Sequence, residues 1–157
     1  MKLERKIFIL LLFVFSLTAQ TVSNFALFDI NGNRILFNKI LSEMNSDEKV
    51  VLNFTSVDCK PCEKEISELI SLKEKRKNMK LFVIFAEQGE VVKEKMKKLD
   101  LKEAYIDPVG TLQEKFGVNG FPITIIVDKN AQRLKKIEGY SSENIKVIEK
   151  LLDTLKN

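Results

Sequence analysis

The stretch Lys49-Val-Val-Leu-Asn-Phe-Thr-Ser-Val-Asp-Cys-Lys-Pro-Cys-Glu-Lys-Glu-Ile66 decides how the chain is read. Its first part, Lys49–Thr55, is a short apolar run rich in β-branched residues, as expected of a strand buried on both faces. From Pro61 to about Arg76 the period changes: Cys62, Ile66, Leu69, Ile70 and Leu72 recur at helical spacing, and cations gather at the end. Cys59 falls between the two patterns, where a strand gives way to the first turn of a helix. The unpaired N–H groups and the dipole of that turn stabilise an anion, so the position lowers the Cys59 pKa and favours the attacking thiolate. Pro61 suits a first helical turn, because the N–H it lacks would have no partner there. Cys62 lies one turn further in, within reach of a mixed disulfide at Cys59. Lys60 favours the thiolate and Asp58 opposes it.

These are the chain's two cysteines. A structural staple joins distant segments, and a bond across two residues closes almost nothing. Zinc takes four ligands, and with no His and no second cysteine pair the chain lacks the set. A soft metal on two thiolates and a pair of inert buried thiols are the competing readings. The expected redox group is the Cys59–Cys62 dithiol itself, with no metal and no other cofactor.

Outward from this stretch the pattern alternates. Phe25–Phe28 and Ile35–Phe37 flank Asp29-Ile-Asn-Gly-Asn33, an expected β-hairpin with Asn31-Gly32 at its turn. Strands are expected at Leu81–Ala86, Ala104–Ile106, Ile123–Val127 and Arg133–Tyr140. Helices are expected at Glu90–Leu99, with Val91, Val92, Met96 and Leu99 inward, and around Thr111–Phe116. A last helix is capped by Ser141 or Ser142 and carries Ile145, Ile148, Leu151, Leu152 and Leu155. This predicts an α/β three-layer sandwich with a mixed central sheet and an N-terminal β-hairpin extension.

Composition fits one domain. The chain has 157 residues, 45% of them hydrophobic, and only six Gly and three Pro, which excludes disordered and low-complexity classes. The absence of His removes Ser-His and Cys-His catalysis. Residues 1–23 read as a signal peptide or an N-terminal membrane anchor: Lys2, Arg5 and Lys6 precede the apolar run from Ile7 to Leu17. That run is short for a membrane span. Cleavage would follow Ala19 or Ser23. Residues 24–157 form the expected domain. Residues 1–19 hold three basic groups and Glu4; the remainder carries 23 basic and 21 acidic residues, so nucleic acid is not an expected partner. Extracytoplasmic placement follows, in the periplasm or on the outer face of the cytoplasmic membrane.

With Asp107-Pro108 and the later Phe116-Gly-Val-Asn-Gly-Phe-Pro-Ile-Thr-Ile-Ile-Val-Asp128, the chain resembles the thioredoxin superfamily, and within it the exported TlpA/ResA-like thiol–disulfide oxidoreductases. The resemblance runs from about Phe25 to Leu155. It implies a cis proline, Pro122, facing the dithiol, and a Phe121 backbone free to pair with a substrate strand. Lys60 and Pro61 join these as substrate-contacting positions. It also implies that Glu65 moves protons to and from the cysteines, with a solvated helix glutamate as the plain alternative. Asn53 stands where cytosolic relatives carry a buried acid. The family's aromatic segment with Trp before the first Cys is replaced here by Thr55-Ser-Val-Asp58, and the turn after Val127 has Asn130-Ala131 where Gly is usual. Asn130 is the residue expected to tolerate a positive φ there.

The implied activity is thiol–disulfide exchange, in the reducing direction. Cys59 acts as nucleophile, Cys62 resolves, and the protein is a monomer. Its partners would be protein disulfides, an apocytochrome c among them, and a membrane thiol–disulfide electron donor. The alternative is a thioredoxin-fold binding module that holds a protein or a soft metal without turnover. A thiol peroxidase fits less well, because Thr55 lies four residues before Cys59 instead of three.

Overall fold

The computed structural model describes residues 20–154; residues 1–19 of the expected 1–23 leader, and Leu155, lie outside them. The element order is β1 (Ala26–Asp29), β2 (Arg34–Leu36), α1 (Phe37–Ser42), β3 (Lys49–Thr55), α2 (Lys60–Lys75), β4 (Met79–Phe85), α3 (Glu90–Lys98), β5 (Tyr105–Ile106), α4 (Thr111–Phe116), β6 (Ile123–Asp128), β7 (Arg133–Glu138) and α5 (Ser142–Asp153). The strands form one mixed sheet in the order β2-β1-β5-β4-β3-β6-β7. The central strand β3 runs parallel to β4 and antiparallel to β6.

All seven residues of β3 are buried, as its largely apolar sequence leads one to expect of a strand covered on both faces. Val50, Leu52 and Phe54 point to the layer that holds α1 and α4, where Phe116 packs against Phe54 at 5.6 Å between ring centroids. Val51 points the other way, under Ile66 and Leu69 of α2 and Ile148 and Leu152 of α5. Asn53 and Thr55 share that second face by the strand's two-residue period.

Side chains finish the helices as the sequence suggests. Ser141 Oγ accepts from the Asn144 N–H at 3.1 Å and caps α5. Asp107 caps α4 by accepting from the N–H groups of Leu112 and Gln113 at 3.0 and 2.9 Å. That gives the Asp107-Pro108 pair a structural purpose.

Three expectations are corrected. Phe37 opens a helix where the apolar alternation suggested more strand, and α1 has no counterpart in the sequence reading. The reason is packing: Phe37 donates its N–H to Phe25 O and stacks on the Phe25 ring at 4.4 Å, so it and Ile40 bury as an i, i+3 pair. Val91 is 50% exposed, because adjacent residues on a helix sit about 100° apart and the buried pair is Val92 with Met96. In the β6–β7 turn the positive φ of 60° belongs to Ala131, not Asn130. This turn repeats the backbone bonding of the β1–β2 turn. Asp128 accepts from the N–H groups of Asn130 and Gln132 as Asp29 does from those of Asn31 and Asn33, but the first hairpin has Gly32 where the second has Ala131.

Residues 20–22 lie beside the start of β7. Thr21 bridges Gln132, Val22 donates to Ala131 O, and Gln20 O accepts from Arg133. No described helix is long and apolar enough to cross a membrane.

Candidate active site

The end of β3 delivers the two cysteines. Cys59 is the N-cap of α2, with an extended backbone, and Pro61 sits in the first turn. Cys59 Sγ accepts from the Cys62 N–H at 3.3 Å, so one of the helix's unpaired donors faces the sulfur. The two cysteines are joined by a disulfide. Cys59 is half-buried while Cys62 is buried at 1% exposure; Lys60 and Pro61 between them are exposed. Cys59 is thus the more accessible residue of the pair and Cys62 the covered one.

The sheet register brings the proline to the same place. Phe54 pairs with Ile123, so Pro122 stands at the end of β3 from which the cysteine loop departs. The Phe121–Pro122 peptide is cis. Pro122 is buried, and its carbonyl accepts from Gly139 N at 2.8 Å. Phe121 is half-buried, and among the described residues neither its N–H nor its C=O has a partner within the protein.

Behind the buried sulfur lies a polar cluster in an otherwise apolar layer. Glu65, one turn along α2 from Cys62, is 1% exposed. Its Oε2 accepts from Asn53 Nδ2 at 3.1 Å and its Oε1 from Thr124 Oγ1 at 3.1 Å. Asn53 Nδ2 also donates to Thr124 Oγ1 at 2.9 Å across the β3–β6 pair. Burial pushes the Glu65 carboxyl up to about 7, against the two hydrogen bonds; the nearby Glu68 charge adds to the rise. Glu68 in turn accepts from Tyr140 Oη at 2.5 Å, a bond that ties α2 to the loop before α5 and raises the tyrosine. Among described buried side-chain atoms, Asn53 Oδ1 and Thr55 Oγ1 have no partner. Asn53 and Thr124 escaped the sequence reading as site residues. The signal was there in the strand pattern, since a polar residue within a buried strand needs a partner.

On the outer side of the same helix Glu63 meets Lys95 Nζ at 2.6 Å and Lys98 Nζ at 2.9 Å. Hydrogen bonds from Lys95 and Lys98 hold its carboxyl down to about 2. A groove of about 680 Å³, lined by Phe25, Phe28, Ile106, Val109 and Leu112, lies over β1 and β5 and does not include the cysteines.

A thioredoxin-like domain family matches residues 38–156. The thiol–disulfide oxidoreductase ResA of Bacillus thuringiensis subsp. konkukian is 31% identical over 120 residues, covering 74% of this chain and 66% of that protein. The chain therefore spans just under two thirds of that relative's length. Among solved structures, a thiol-disulfide oxidoreductase from Bacteroides fragilis superposes with a TM-score of 0.70 at 19% identity, over 85% of this chain and 99% of the other. Peroxidoxin BcpB from Mycobacterium tuberculosis superposes with a TM-score of 0.73 at 21% identity, over 88% of this chain and 97% of that one. At such identities the likeness is one of fold, and it is shared by proteins with different names.

Proposed function

The chain belongs to the thioredoxin-like domain family, and from that membership we propose that it is an exported thiol–disulfide oxidoreductase that reduces protein disulfides. The observation that carries the reading is the asymmetry of the cysteine pair: Cys59 half-buried at a helix N-terminus, Cys62 buried, with buried Glu65 one turn further along the helix. In the dithiol form the Cys59 thiolate attacks a substrate disulfide. A Cys59–substrate bond forms and one substrate thiolate leaves. Cys62 then attacks Cys59 Sγ, which releases the second substrate thiolate and closes the Cys59–Cys62 disulfide. Two electrons pass to the substrate. Glu65 takes the proton that Cys62 gives up, a task suited to a carboxyl held near neutrality. The backbone of Phe121 pairs with the substrate segment, and Lys60 and Pro61 border it.

The dithiol is restored by a membrane thiol–disulfide electron donor. Extracytoplasmic placement is supported by the basic and apolar pattern of residues 1–19, and the reducing direction by the sequence resemblance to the TlpA/ResA-like branch. The same resemblance supports the haem-attachment cysteine pair of an apocytochrome c as one client.

Cys62→Ser protein should accumulate mixed disulfides on Cys59 in extracts, and dithiothreitol-driven insulin reduction by the natural protein should exceed that of Cys59→Ser. Equal rates, with no trapped partner, would leave a binding module as the function.

A further inference from the structure

The loop Thr55–Asp58 is where this chain departs from its family, having no aromatic ring to pack before the first cysteine. Something else must hold it. The β3–β4 ladder runs one bond beyond the strands, from Ala86 N to Thr55 O at 3.0 Å, which places Glu87 beside the loop. Glu87 Oε1 accepts from Ser56 Oγ at 2.6 Å, and its Oε2 from the Val57 N–H at 3.1 Å. Ser56 O in turn accepts from the Cys59 N–H at 3.3 Å. The nucleophile's backbone therefore hangs on a residue whose own side chain is held by this carboxylate. All three partners are half-buried, so these bonds are not lost in bulk water.

We propose that Glu87 is the positioning residue for Cys59, fixing by two hydrogen bonds the loop from which its backbone hangs. The inference rests on the oxidoreductase reading for its turnover arm and is independent of it in its chemical arm. Glu87 acts through the loop and does not touch substrate. A glutamine at this position keeps both bonds, its Oε1 accepting from Val57 N–H and its Nε2 donating to Ser56 Oγ; an alanine loses both.

The test compares Glu87→Gln and Glu87→Ala as full-length proteins, in insulin reduction and in the pH profile of iodoacetamide alkylation of reduced Cys59. Glu87→Ala should lose about tenfold in kcat/KM, and its alkylation midpoint should rise as the sulfur drifts from the Cys62 N–H. Glu87→Gln should restore turnover to within about threefold and keep the midpoint near that of the natural protein. Should Glu87→Ala fail to fold, Ser56→Ala removes one bond alone and should give a smaller loss in the same direction. A Glu87→Ala protein with an unchanged midpoint would overturn the proposal, as would a Glu87→Gln protein as impaired as Glu87→Ala. If the natural protein does not reduce insulin, the oxidoreductase reading fails and the alkylation profile still decides the case of Glu87.

Discussion

Glu63 and Glu65 are the same residue two positions apart on one helix, and their carboxyls are driven in opposite directions. Glu63 faces Lys95 and Lys98 across the α2–α3 contact and is held down to about 2. Glu65 faces the sheet, 1% exposed, with two neutral donors and no cation, and is pushed up to about 7. Two residues on a helix are about 200° apart, so neighbours in sequence meet different worlds. What separates a carboxyl held down from one pushed up here is which layer the side chain enters.

The largest effect should come from breaking the buried side. Replacing Glu65 by Gln removes the charge that burial penalises. The folded carboxyl binds its proton more tightly than the unfolded one. Its contribution to stability is therefore complete at low pH and is lost as pH rises from about 4.5 to about 7. Urea unfolding of the oxidised natural protein should show a fall of about 3 kcal/mol across that window, and Glu65→Gln should be flat. Asn53 makes the variant tolerable. With its amide turned over, its unpaired Oδ1 accepts a hydrogen bond from the new Nε2, as it would from the O–H of neutral Glu65.

A middle-sized effect should follow from stripping the donors. Asn53→Leu leaves the carboxylate with Thr124 alone and should cost roughly 2 kcal/mol at about pH 8, and less at about pH 5, where Glu65 is protonated. Thr124→Val should do the same at about half the size. Both should move the pH midpoint of stability upward, which places the donors in the setting of Glu65.

Glu63→Gln should give the smallest change, and one of opposite sign in pH. A depressed carboxyl contributes stability above its ordinary value, and that is lost as pH falls from about 4.5 toward about 2. Because the pair with Lys98 lies at the surface, the change in Tm should be slight and should shrink further in about 0.5 M salt. A Glu63→Gln profile that altered stability between about pH 5 and 7 would mean the two carboxyls are coupled.

How much of this was legible in the sequence follows from which forces are local. The bounds of β3 were readable because a short apolar run rich in β-branched residues suits the interior of a sheet, and α2 because its apolar period ends in lysines. Cys59 and Cys62 were readable from the junction between those patterns. The burial of Glu65 was half-readable: it shares the Cys62 face at i+3, yet the run Glu63-Lys64-Glu65 looks equally like solvent. α1 was hidden because Phe37 continues an apolar triplet, and only the distant Phe25 ring makes it helical. Glu87 was hidden for a similar reason. Its partners lie 30 and 31 residues away, and no spacing within Ala86-Glu-Gln-Gly89 announces them.

The pairing of residues 20–22 with the turn before β7 has a consequence for how the molecule is held. That turn lies level with Lys49, where β3 begins, whereas the sulfurs lie beyond Thr55, where it ends. Seven residues of strand separate the two poles by roughly 23 Å. Residues 20–22 therefore meet the domain at the pole opposite the Cys59–Cys62 bond, and the face around the cysteines is left clear of them.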